Sequence, residues 1–136
     1  MTELLYKKLM YFWSLCFFIA GLFFITQPQV VILGINLLSQ TMEWNLLLPQ
    51  TFQFLWWALS GAMMMTIAYL SFEVGRHPTQ KQLVNALLIC KGGSSFLFMV
   101  AALKYNKLYF VGTAVDLPIF LIILFSTLSF NRQRVK

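Results

Sequence analysis

"LVNALLICKGGSSFLFMVAAL", residues 83–103, decides how this chain is read. Its polar side chains are only Asn85, Lys91, Ser94 and Ser95. At about 1.5 Å per helical residue the stretch covers roughly 31 Å, close to the ~30 Å hydrocarbon thickness of a bilayer. A run of this length and composition reads as a transmembrane helix, and a lysine near its centre is the residue least expected in it.

The rest of the chain repeats the pattern. Residues 9–26, 52–72 and 108–130 are apolar runs of crossing length, and the alternation expected of barrel strands is absent from the sequence. The 136 residues are 60% hydrophobic and 10% charged, with a mean hydropathy of +0.75. Soluble domains carry about 25% charged residues. The expected fold is therefore an all-α membrane protein, a four-transmembrane-helix bundle forming one integral membrane domain over residues 1–136. The net charge of +6 sits at the ends of apolar runs and not in a patch interleaved with aromatics. This pattern argues against a nucleic-acid partner and makes basicity a signal of topology.

With the N-terminus in the cytoplasm, Lys7, Lys8, Arg76, Lys81, Arg132, Arg134 and Lys136 fall inside, and Lys104 and Lys107 outside. The positive-inside rule then gives an N-in/C-in orientation, as an even number of spans requires. Tyr6, Tyr11, Trp13, Trp44, Tyr105 and Tyr109 fall near the expected helix ends, where amphipathic rings favour the headgroup region. No small-x-small cleavage site follows the first run, so it is expected to be a retained anchor. The short charged tails and lack of sorting motifs place the chain in a bacterial inner membrane. Cys16 and Cys90 each lie inside an apolar run and read as small buried residues. The sequence offers no CxxC pair or ligand cluster for a metal.

The long connection, residues 27–51, holds Glu43 as its one charged residue and contains "VVILGINLL" and "WNLLLP". Bounded by Pro28 and Pro49, it reads as an apolar interfacial segment between helices 1 and 2: a short interfacial helix, a re-entrant cap, or an apolar loop held at the interface.

Lys91 carries the argument about a site. A lysine at mid-membrane costs roughly 2.5–3.5 kcal/mol, and its stem is too short to snorkel to either headgroup layer, so it calls for a partner or a wet cavity. Asp116, in "VGTAVDLPIF", is the favoured partner. The tight turn between spans three and four makes them antiparallel neighbours and brings the two α-carbons within roughly 6 Å in depth. Glu73, at the end of span two, is the alternative. Ser95 shares a face with Lys91, and Asn85, Gly93 and Ser94 add small or hydrogen-bonding groups. Thr113 and Gly112 lie on the side of Asp116, and Pro118 frees the Ala114 carbonyl. Gly61 in span two, with Gly92, Gly93, Gly112 and Pro118, is expected to serve helix packing. Met63, Met64 and Met65 point different ways and read as filler. His77, in "EVGRHPTQKQ", reads as part of a solvated turn.

Taken together, Gly21 followed by Pro28, the apolar outer connection, "AYLSF", "RHP", "KGG" and "VDLPIF" resemble small DoxX-like bacterial membrane proteins. The resemblance covers most of the chain. It implies a compact four-helix bundle in a family mostly without assigned function, whose name-giving relatives are associated with thiosulfate:quinone oxidoreductase. Arg76, Pro78, Lys91, Gly92 and Asp116 match the pattern. Residues matching a haem, flavin or iron–sulfur site are absent from the sequence, so no cofactor is expected.

These readings lead to a small membrane accessory or interaction protein, a subunit of a larger complex. The alternative is a protein that binds a lipid or quinone at a polar site formed by Lys91 and Asp116; a small oligomeric transporter ranks behind both. The expected partners are membrane lipids, a quinone or other apolar ligand, and a membrane protein or second copy of the chain. An enzyme is least expected, because one histidine at a helix end assembles no nucleophile–base constellation.

Overall fold

The computed structural model describes residues 1–44, 47 and 54–134, the side chains of residues 54–56 and 134 excepted. Among these residues all regular structure is helical. Helix α1, Glu3–Thr26, starts where the Thr2 hydroxyl accepts the Leu5 N–H at 3.4 Å. Glu3 in its first turn pairs with Lys7 at 2.7 Å, a placement that complements the helix dipole. The helix thus begins well before residue 9, since capping and charge pairing set the start and hydropathy marks only the apolar part.

Pro28 cannot continue α1 and disfavours helical backbone at Gln27, whose φ is −133°. It instead occupies the first turn of α2, Pro28–Thr41, where its missing N–H has no consequence. The connecting segment is therefore helical over Pro28–Thr41. It buries Pro28, Ile32 and Ser39 and leaves Val30, Leu33 and Leu37 exposed. Its end is a Schellman motif: the Trp44 N–H donates to the Ser39 carbonyl at 3.0 Å and the Glu43 N–H to the Gln40 carbonyl at 3.1 Å. Glu43 holds the left-handed position, φ 54°, that glycine favours. The expected turn at Pro49 lies outside the described residues.

Helix α3 runs Phe54–Arg76, α4 Lys81–Lys104 and α5 Phe110–Arg134. Each extends past its apolar run at one or both ends. A four-residue turn through His77 and Pro78 joins α3 to α4. A single 3-10 turn, Lys107–Tyr109, leads into α5, with the Asn106 side chain accepting the Leu108 N–H at 2.8 Å. Four of the five helices are long and apolar enough to cross a bilayer.

The bundle is built from two antiparallel pairs. In the first, α1 lies along α3, with Phe24 against Trp57, Ser14 donating to the Ala68 carbonyl at 2.8 Å, and Tyr11 against Phe72. Gly21 and Gly61 let these backbones meet: a Cβ on Gly21 would lie 3.1 Å from the Gly61 carbonyl oxygen, and one on Gly61 would overlap Ile25. In the second pair α4 lies along α5, with Phe120 against Gly92 and Phe98 against Gly112. The pairs join through Tyr6, which stacks on Phe130 at 4.8 Å and hydrogen-bonds Thr127 at 3.1 Å. Met10, Val74, Val84, Leu87 and Ile123 belong to the same core. The start of α1 and the end of α5 consequently share one end of the bundle.

Candidate functional site

Lys91 and Ser94 lie three residues apart on α4, so both face the same neighbour, and that neighbour is the middle of α5. Asp116 receives both. Nζ of Lys91 donates to Oδ1 at 2.7 Å, and the Ser94 hydroxyl is 2.5 Å from Oδ2. Lys91 is 1% exposed and Asp116 5%. The pair is sealed from its surroundings, ten residues from the start of α4 and thirteen from its end.

A third helix closes the site. Nζ of Lys91 lies 4.4 Å from the centroid of the Phe17 ring on α1, where the negative face of the ring quadrupole meets the ammonium. Lys91 thereby touches both helix pairs. Phe17 was not recoverable from the sequence, because α1 is apolar on all sides and its inward stripe has no polar counterpart to stand against. Ser94 was noted there only as one small residue among several.

The remaining expected residues divide. Ser95 and Thr113 are buried beside the pair in sequence, four residues after Lys91 and three before Asp116. Thr113 Oγ1 has no hydrogen-bond partner. Asn85 is exposed and does not join the site. Six residues before Lys91, it is rotated by roughly 120° around the helix. Glu73 is not a partner of Lys91: it bonds Arg76 at 3.1 Å and lies 3.8 Å from His77 Nε2, at the end of α3.

Among the small residues, Gly61, Gly92 and Gly112 sit where a side chain would collide with a neighbour, whereas Gly93 faces open space and packs nothing. Pro118 is exposed and lines no seam, and Ala114 is exposed with it. The carbonyl that Pro118 leaves without a donor therefore opens outward, away from Asp116. Cys16 and Cys90 are partly buried free thiols. Among the described residues, no group of three or more His, Cys, Asp or Glu side chains could hold a metal ion.

Chemically, this is a closed clamp. Both carboxylate oxygens and the ammonium are engaged by the protein itself. An open hollow of about 270 Å³ lies at the α1–α2 junction, around residues 25–29. A longer one of about 590 Å³ runs along the outer face between α1 and α3. Neither is lined by Lys91 or Asp116. No family model, characterised protein or solved structure matches the chain.

Proposed function

We propose that the chain is a small integral membrane accessory protein, which associates through its outward faces with a larger membrane assembly and uses Lys91–Asp116 as an internal registry pin. The observation that carries this is the clamp itself. Asp116 is held at both oxygens from α4, and Lys91 is held by Asp116 and Phe17, so the charged pair is committed to holding α4, α5 and α1 in register. A buried pair with this arrangement specifies which helices pack, whether or not it adds net stability.

The membrane reading rests on four apolar helices and on large exposed side chains along them, among them Phe12, Leu15, Ile89, Phe96 and Phe125. A water-soluble monomer does not carry apolar surface on this scale. The charge bias favours an N-in/C-in orientation, the short charged tails favour a bacterial inner membrane, and the DoxX-like resemblance implies a four-helix architecture.

The test is purification from native membranes in a mild detergent, followed by native electrophoresis and mass spectrometry. A membrane protein recovered at fixed stoichiometry, and retained by the Lys91→Met/Asp116→Leu double variant, supports the reading. A chain that runs alone in every mild detergent refutes it.

One observation favours a second reading. Thr113 Oγ1, buried one turn from Asp116, has no partner and would accept or donate a hydrogen bond to the polar end of a lipid or quinone. That reading requires the site to open, and bound quinone or lipid lost on Thr113→Val would decide for it.

A further inference from the structure

The groove on the outer face of the α1–α3 pair is unlike the rest of the apolar surface, because it is concave and has cations at one end only. Its walls are Tyr11, Leu15 and Phe18 from α1 and Met65, Tyr69 and Phe72 from α3. Its volume of about 590 Å³ lies within the ~300–1,000 Å³ range of ligand sites. The polar group in its floor is already satisfied, since the Ser14 hydroxyl donates to the Ala68 carbonyl at 2.8 Å. The interior therefore asks for hydrocarbon.

The end of the groove asks for an anion. Lys8 lies three residues before Tyr11 on the same stripe of α1, is exposed, and has no acidic partner among the described residues. Arg76 lies one turn beyond Phe72 on α3, with its guanidinium carbon 5.9 Å over the Phe72 ring. Glu73 takes one of its N–H groups at 3.1 Å, and a guanidinium has five. Tyr11 bridges the two helices here, its ring against Phe72 and against the bare backbone of Gly75. Two cations thus flank the mouth of a trough that runs about 10 Å along the helices, from Tyr11 to Phe18.

We propose that this groove holds an acyl chain of an anionic phospholipid whose phosphate is met by Lys8 and Arg76. A partner helix would match the trough but would leave the cations unanswered, whereas an anionic lipid supplies hydrocarbon and charge in one molecule. The site is separate from the Lys91–Asp116 clamp, and the proposal rests on the reading of the chain as a membrane protein.

The experiment is native mass spectrometry of the protein released from nanodiscs of phosphatidylglycerol and phosphatidylcholine in equal amounts. The wild-type protein is expected to retain phosphatidylglycerol preferentially. The preference should fall about five-fold for each cation removed in Lys8→Gln and Arg76→Gln. Leu15→Trp, which fills the trough, should reduce retention of both lipids. Lys81→Gln/Arg132→Gln removes as much charge from the same end of the bundle outside the groove and should leave the preference intact. Equal retention of the two lipids by the wild type, or an equal loss in the Lys81/Arg132 control, overturns the proposal. A chain that fails to enter the nanodisc overturns the membrane reading beneath it, and that failure is visible before any lipid is weighed.

Discussion

Replacing Lys91 by methionine and Asp116 by leucine, singly and together, separates a pin from a decoration. Lys91→Met leaves the Asp116 carboxylate buried with only Ser94 to hold it. Asp116→Leu leaves an ammonium over the Phe17 ring without a counter-charge. Each single change should cost roughly 3–5 kcal/mol, the usual penalty for stranding one member of a buried pair. Against a total stability of about 5–15 kcal/mol, either one approaches unfolding. The double variant removes both charges and substitutes apolar side chains of similar size, so it should lie near wild type or above it. Ser94 tolerates the loss, because its hydroxyl is also 3.1 Å from the backbone carbonyl at position 91, which neither substitution touches. The assay is reversible unfolding in mixed micelles by a denaturing detergent, followed by circular dichroism and Trp fluorescence. A double variant no more stable than the worse single would refute the coupling between these residues.

Ser94→Ala should cost about 1.5–3 kcal/mol in the same assay, the range for a hydrogen bond to a charged group. Gly61→Leu should destabilise the α1–α3 seam by roughly 1–3 kcal/mol through overlap with Ile25, whereas Gly93→Ala, facing open space, should be neutral or stabilising by up to about 1 kcal/mol. Tyr6→Phe retains the stack on Phe130 and loses only the bond to Thr127, so the expected loss is about 0.5–1.5 kcal/mol. Glu43→Gly should relieve roughly 1 kcal/mol of left-handed strain at the end of α2, read as slower hydrogen exchange at the Trp44 amide.

The helices were legible because long apolar runs leave a coarse mark: apolar length locates a helix within a turn or two. What hydropathy does not see is where a helix starts. Thr2, Glu3 and Lys7 extend α1 beyond the apolar run by capping and charge pairing, and α4 starts at Lys81, two residues before its apolar run. The partnership of Lys91 with Asp116 could be argued from sequence because one tight turn fixes the relative depth of α4 and α5. The α1 contribution could not. The connection from α1 to α3 is long, and nothing in it sets the register of Phe17 against Lys91. Asn85 and Gly93 were drawn toward the site by residue type alone, and their positions around α4 turn them away from it. Pro118 shows the same limit: its effect on the backbone was foreseeable, but the face on which the freed carbonyl opens depends on how α5 is rotated in the bundle.

The two helix pairs solve one problem by different chemistry. Between helices surrounded by lipid tails there is little hydrophobic driving force, so association rests on close packing and polar contacts. The α1–α3 pair uses close packing, with Gly21 and Gly61 bringing the backbones together. In the α4–α5 pair the glycines serve as notches for aromatic rings, Phe120 on Gly92 and Phe98 on Gly112. At these glycines the contact is ring on backbone, whereas Gly21 and Gly61 bring backbone to backbone. The Lys91–Asp116–Ser94 clamp adds polar adhesion to this seam, and the ammonium's contact with Phe17 carries it across to the other pair. A charge that looks out of place in residues 83–103 thus ties two ring-packed helices to each other and to α1.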